Sequence, residues 1–368
     1  MSAPHSPLQF RTLQPPHSGY QWDGRSQSFF EGWYFRLTLP QPQVTFAFMY
    51  SIQDPIGGQP HSGGVAQVLG PGDTYLCRSL PNAELFWAWS EGLGLGHWRQ
   101  ALPNQRPGFL LPMAFTSQIQ EGYQVTASWH QGQLRDPVSG ETVVWQYQIS
   151  PIYGWGQSGQ PQQSTAGWLS QWSIFEPGWQ ILMAHGHATG WVLWHGQRYR
   201  FHQVPAYGEK NWGRAFPKRW FWLQCNAFDQ QTEISLTAAG GRRQVLTWTE
   251  TVGMVGLHHQ GQFYEFVPWN ATLSWQVSPW GDWYVTAERP DYVLELHGTT
   301  THAGIGLRAP TQHGVMYCCR HTAQGQLSLS LWRKSSRGLS LALQTTSQQA
   351  ALEIGGCPWC DPWHKSGA

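Results

Sequence analysis

Two short segments place ionisable groups inside runs of aromatic residues, in a chain where charge is otherwise scarce. The first is Phe29-Phe30-Glu31-Gly32-Trp33-Tyr34-Phe35; the second is Tyr207-Gly208-Glu209-Lys210-Asn211-Trp212-Gly213. A carboxyl enclosed by rings is costly to ionise, so it tends to keep its proton, which is what a catalytic acid requires. Strand alternation puts Glu31, Trp33 and Phe35 on one face. In the second segment Glu209, Lys210 and Asn211 stand in series, bracketed by two rings and by glycines that permit unusual backbone angles. Each feature also has a plainer reading. Glu31 can pair with an arginine such as Arg36 or cap a turn, and Glu209 and Asn211 can brace a loop through bonds to backbone. Asp23, in Tyr20-Gln21-Trp22-Asp23-Gly24-Arg25, is a good turn former.

The remaining reactive residue types form no complete motif. His185-Gly186-His187 and His258-His259 lack a carboxylate or third histidine at helical spacing, so no metal site is expected. Cys357-Pro358-Trp359-Cys360, followed by His364, has neither a βαβ context nor a second CxxC, and reads as a tail with incidental thiols. Cys318 and Cys319 are neighbours whose side chains point to opposite faces of a strand. There is no Gly-Lys-Ser/Thr phosphate loop, no dinucleotide fingerprint and no Gly-x-Ser-x-Gly elbow.

The elements that must hold these groups are strands. The 368 residues include 41 Gly, 25 Pro and 24 Trp, and charged residues make up only 12%. That mixture is poor in helix formers and rich in turn residues and rings. A net charge of +1, with no Lys/Arg run, leaves nothing to neutralise phosphates, so nucleic-acid partners are excluded. No apolar stretch approaches the ~18 to 20 residues of a membrane-spanning helix. The opening Met1-Ser2-Ala3-Pro4-His5-Ser6-Pro7 resembles neither a secretory signal nor a transit peptide, so a cytoplasmic chain with reduced thiols is expected. Alternating aromatic or β-branched runs predict strands over 32–39, 44–52, 123–130, 142–149, 191–195, 220–227, 233–238, 244–250 and 283–288, with short helices at 82–90 and 165–175. Residues 33–37 are echoed by 220–224, each run opening a hairpin, half the chain apart. The expectation is an all-β protein of two antiparallel β-barrel units, 1–200 and 201–368, each leaving a lined interior.

Five strings, in order along the chain, resemble the tocopherol cyclase family. They are Pro16-His17-Ser18-Gly19-Tyr20-Gln21-Trp22-Asp23-Gly24, Phe29-Phe30-Glu31-Gly32-Trp33-Tyr34-Phe35, Glu209-Lys210-Asn211-Trp212-Gly213, Trp220-Phe221-Trp222-Leu223-Gln224-Cys225-Asn226 and Ala351-Leu352-Glu353-Ile354-Gly355-Gly356. One departure is Gly208, where the family pattern has Ala. The resemblance implies two lipocalin-like β-domains, shared with the more distantly similar carotenoid hydratases. It also implies cofactor-free cyclisation of a phytyl-benzoquinol to the chromanol of a tocopherol, and a photosynthetic, cyanobacterial source.

Such a reaction needs a neutral acid to protonate the alkene, exclusion of water, and electron-rich faces around the tertiary cation before the phenol oxygen attacks it. Indole and phenol faces supply about 0.5 to 2 kcal/mol each to a nearby cation. The resemblance assigns Glu209 or Glu31 as proton donor, with Lys210 and Asn211 orienting the quinol. Asp23, Trp33, Tyr34, Tyr207, Trp212, Trp220 and Trp222 become substrate-binding residues. A lipid-borne prenylquinol substrate implies peripheral association with thylakoid membranes. Two other readings fit the composition: a non-catalytic lipocalin-like carrier of lipids or quinones, and a carbohydrate-binding or glycosidase-type protein whose tryptophans face an open groove.

Overall fold

The computed structural model describes residues 13–26, 28–171, 176–229, 233–245, 248–311, 314–356 and 358–367. The opening 1–7, Cys357 and the end of the helix expected at 165–175 lie outside the described residues. Eleven strands form the first sheet: β1 (Phe30–Leu39), β2 (Val44–Gln53), β3 (Gly63–Leu69), β4 (Tyr75–Leu80), β5 (Phe86–Ala88), β6 (Gly94–Trp98), β7 (Gly122–Thr126), β8 (Trp129–Arg135), β9 (Thr142–Tyr153), β10 (Gly178–Trp194) and β11 (Gln197–Gly213). The second sheet comprises β12 (Arg219–Cys225), β13 (Ile234–Val245), β14 (Trp248–His259), β15 (Gln262–Phe266), β16 (Thr272–Val277), β17 (Asp282–Glu288), β18 (Tyr292–Thr299), β19 (Ile305–Thr311), β20 (Gly314–Ser335), β21 (Gly338–Gly356) and β22 (Trp363–Lys365).

Both sheets are antiparallel meanders in which the first strand pairs with the last long one. β1 lies between β2 and β11; β12 lies between β13 and β21. The sequence echo therefore marks the same position in two similar units. Residue 200 lies inside β11, and the chain passes from the first sheet to the second at 214–218. One edge strand of the first sheet is tied through side chains to the connection between β6 and β7: Arg78 of β4 pairs with Glu121 at 2.5 Å, and Glu121 also takes Arg99, which follows β6.

Several elements differ from expectation. The strand expected at 123–130 is a hairpin, because Thr126 Oγ1 accepts the backbone N–H of Trp129 at 3.0 Å and turns the chain. Segment 82–90 contains a single 3-10 turn, Ala83–Leu85, capped by Asn82, and then enters β5. Among the described residues the α-helix is α1 (Pro112–Gln118), started by a proline whose missing N–H costs nothing in the first turn.

Alternation divides each central strand between a barrel core and the seam. Trp33, Phe35 and Leu37 of β1 enter the first core; Phe221, Leu223 and Cys225 of β12 enter the second. Tyr34 and Arg36 face the other way, toward Trp222 and Gln224. One seam cluster joins Tyr153, Trp155 and Tyr207 to Trp222, Met254 and Ala351. Burial of side chains this large stabilises by roughly 1.5 to 3 kcal/mol each. Arg36, wholly buried, donates to Gln224 Oε1 at 2.7 Å and to the Gln349 carbonyl, so its desolvation is offset by bonds across the seam.

Gly355 allows a close approach there: a Cβ on it would stand 2.0 Å from the Trp220 ring. Gly355→Ala is expected to lower stability by about 1 to 3 kcal/mol in urea unfolding, since neither the strand nor the hydrogen-bonded indole has room to yield.

Candidate active site

A cavity of about 1450 Å³ opens along the seam. The start of β10, the end of β11 and the 214–218 connection line it from the first unit; β12 with its neighbours β13, β14 and β21 lines it from the second, and residues 17–26, Ser28 and Phe29 complete the wall. Its apolar surface comes from Trp179, Phe216, Trp220, Trp222 and Met254 among others. The hollow expected inside a barrel thus lies between the barrels, whose own interiors are filled.

Register sorts the expected site residues into two groups. On β11, Glu209 pairs with Tyr34 and Asn211 with Gly32, whereas Lys210 pairs with Trp33. Glu209 and Asn211 therefore point to the seam and line the cavity, while Lys210 points into the first barrel. Tyr34, Trp212, Trp220, Trp222 and Asp23 also border the cavity. Tyr207 does not border it, but its hydroxyl donates to Glu209 at 2.7 Å. Trp33 belongs to the first core.

Glu209 is held by three donors on one oxygen. Its Oε2 accepts the Tyr207 hydroxyl, the Trp179 indole at 3.0 Å and the Trp222 indole at 3.2 Å. That arrangement leaves Oε1 for the cavity. Burial is the largest influence on the group and lifts its pKa from the ordinary 4.5 to about 7, against the lowering effect of the Tyr207 hydroxyl. The carboxyl thus keeps its proton up to about neutral pH.

Glu31 and Lys210 form a separate, fully buried ion pair. The Lys210 ammonium also donates to the Gly19 carbonyl at 2.6 Å and lies 5.0 Å from the Trp212 ring centre, while Glu31 Oε2 accepts the Gln21 N–H at 2.8 Å. Burial raises the Glu31 pKa and lowers that of Lys210, and each partner's charge opposes the change. Neither borders the cavity. The pair instead ties residues 19–21 to the barrel end, and Arg36, the partner weighed for Glu31 from sequence, bonds elsewhere.

Trp179, Met254 and Glu353 are among the cavity residues that escaped the sequence reading. Trp179 and Met254 carry no local signal. Glu353 does, as a lone acid in the apolar string 350–354, by the same criterion that singled out Glu31. Its Oε1 accepts the Trp220 indole at 2.7 Å, and its Oε2 meets His321 Nδ1 at 3.1 Å. Among the described residues, no group of three or more His, Cys, Asp or Glu could hold a metal ion. Asp23 has the turn role foreseen for it, accepting the N–H groups of Arg25 and Ser26 at 2.8 Å each.

A family model described as tocopherol cyclase-like matches residues 27–356. The chain belongs to that family. It is 42% identical to the probable tocopherol cyclase, chloroplastic, of Oryza sativa subsp. japonica over 381 residues, covering 96% of this chain and 81% of the rice protein. It is also 42% identical to the tocopherol cyclase, chloroplastic, of Zea mays, covering 96% and 80% of the two chains. Among solved structures, CghA with Sch210972 superposes with a TM-score of 0.52 at 9% identity, over 90% of this chain and 89% of that one. That likeness concerns the fold, an all-β pair of lipocalin-like domains. Gly208, the departure from the family pattern, lies under a core ring: a Cβ there would meet Phe35 Cδ1 at 2.8 Å.

Removing the charge of Glu31 should unfold rather than inactivate. Glu31→Gln strands a buried ammonium and is expected to cost about 3 to 5 kcal/mol in urea unfolding, while kcat of the folded fraction stays within threefold of the parent. A hundredfold loss of kcat with unchanged stability is the contrary result.

Proposed function

We propose that this chain is a tocopherol cyclase, closing a methyl- or dimethyl-phytyl-benzoquinol to its chromanol without a cofactor. Support comes from the family, from the named activity of relatives 42% identical over nearly the whole chain, and above all from Glu209. A carboxyl with a pKa of about 7, open on one oxygen and ringed by indoles, is suited to protonating an alkene. Glu209 Oε1 gives its proton to the tail, making a tertiary cation. The faces of Tyr34, Trp179 and Trp222 stabilise that charge, and their bulk keeps out water. The quinol oxygen then attacks the cation within the same molecule, so the cavity's main contribution is to hold the tail coiled. Asn211, on the cavity wall, offers an amide to the quinol head, and Trp212 and Trp220 extend the apolar lining.

A carrier of prenylquinols needs the hollow but not the protonatable group, and a glycosidase, which also uses a carboxyl of raised pKa, needs an open polar groove rather than walls so rich in carbon. Glu209 therefore favours the enzyme. Glu31 and Lys210 serve as a structural pair. Cyclisation of purified quinol without cofactor is the direct assay. Glu209→Gln is expected to lower kcat by about 10² to 10⁴. Only the protonated acid can act, so the parent's rate should decline as pH rises through about 7, a limb missing in the variant. Near-normal turnover by Glu209→Gln removes the acid.

No helix among the described residues is long and apolar enough to cross a membrane. The relatives from rice and maize are named chloroplastic. We place this chain at the surface of thylakoid membranes in a cyanobacterium, where its substrate dissolves. Trp168, 60% exposed, adjoins Leu169 at the cavity mouth, and such exposed rings suit the lipid headgroup region. Flotation with liposomes is expected for the parent and should weaken at least threefold in Trp168→Ala; a parent left entirely in the dense fraction refutes the placement.

A further inference from the structure

Ring closure makes one C–O bond and breaks one O–H bond, so a second group must take the oxygen's proton while Glu209 gives its own to carbon. Glu353 of β21 borders the same cavity and is the register partner of Trp222, the residue whose indole donates to Glu209. Its side chain is 15% exposed, whereas His321 behind it is fully buried. The His321 ring lies 6.1 Å from the Trp222 ring and 6.0 Å from that of Tyr34, centre to centre, and its Nδ1 fixes Glu353 Oε2. Trp220 fixes the other oxygen. The shielded Tyr34 hydroxyl has no hydrogen-bond partner and feels the charge of both Glu209 and Glu353.

Resting on the cyclase reading, we propose that Glu353 is a second catalytic residue, whose carboxylate accepts the proton of the attacking quinol hydroxyl. His321 positions it, and exchange with water between turnovers takes the proton from Glu353 and restores that of Glu209. The balance closes: Glu209 loses a proton to the alkene carbon, the oxygen's electron pair forms the C–O bond, its proton goes to Glu353, and the exchange restores both carboxyl groups. Product and substrate are isomers, and no electron acceptor is involved. Burial is the main cause of the raised Glu209 pKa, and the negative charge of Glu353 adds to it. The titratable groups facing Glu353 are His321 and Cys319 on β20, Tyr34 on β1 and Glu209 on β11.

The test measures kcat and KM against pH for the parent, Glu353→Gln and Glu209→Gln. Tryptophan quenching by the oxidised quinone, which cannot cyclise, serves as the control for folding and binding. Glu353→Gln is expected to lower kcat at least ~100-fold with quinone affinity within threefold, to abolish the parent's loss of rate on the acid side, and to keep the alkaline-side decline but at lower pH, because the charge that helps raise the Glu209 pKa is gone. A kcat within threefold of the parent, or an acid-side loss that persists in this variant, overturns the role. Should Glu353→Gln not bind quinone, His321→Asn carries the test, because it leaves both carboxyl groups in place. It should lower kcat about tenfold at unchanged KM and move the acid-side limb, and an unchanged profile overturns the role. Normal turnover by Glu209→Gln is a different failure, that of the acid, and is read from its own profile.

Discussion

The two-residue period of the paired strands β1 and β11 determines what every ionisable group near the cavity can do. Neighbours in sequence go to opposite sides, so Glu209 reaches the seam while Lys210 enters the first barrel beside Glu31. A one-residue slip of this pairing would exchange them, putting an ammonium in the cavity and an unpaired carboxyl in the barrel. The ladder on β11 is therefore under strong constraint. The filled first core, with Trp33, Phe35 and Leu37 on the inner face of β1, supplies that constraint.

The two buried glutamates show how environment rather than burial alone assigns a role. Glu31 and Glu209 are both shut away from solvent, and burial raises the pKa of each. Glu31 has a cation in contact, which favours its charged form and makes removal of either partner expensive. Glu209 has only neutral donors, two indoles and a phenol. Neutral donors steer one oxygen without supplying a counter-charge, so the proton stays near neutral pH.

Much of this was legible in the sequence. The aromatic runs around residues 31 and 209 marked the acids, and the echo of 33–37 in 220–224 marked the two equivalent central strands. Local pattern could not separate Glu31 from Glu209, because the deciding contact, Lys210 on Glu31, spans 179 residues and depends on strand register. Nor could it place the cavity, since a barrel interior and a seam between barrels call for the same alternation. Glu353 was visible by the same signal as Glu31, a lone acid among apolar neighbours. Its link to His321 was not, because it arises from the pairing of β20 with β21. The hairpin at 123–130 was hidden because Thr126, a good strand residue, turns the chain with its own hydroxyl.

An uncompensated acid in the seam has a thermodynamic consequence. Because the Glu209 pKa is higher folded than unfolded, the unfolded chain binds fewer protons between pH 4.5 and about 7, and stability falls as pH rises through that window. Below it the carboxyl is neutral in both states and the penalty vanishes. Above it the cost is on the order of 3 kcal/mol. The seam cluster that surrounds the acid, with Trp155, Tyr207, Trp222 and Met254 buried together, contributes roughly 1.5 to 3 kcal/mol per large side chain and outweighs it. The same rings that make the carboxyl hard to ionise are thus the ones that keep the two barrels together. Trimming Met254 would lower stability and, by letting water reach the acid, return it toward its ordinary pKa. Loss of the Tyr207 or Trp222 hydrogen bond would instead remove an effect that lowers that pKa, so the size of the hollow and the strength of its acid are coupled through which side chain is trimmed.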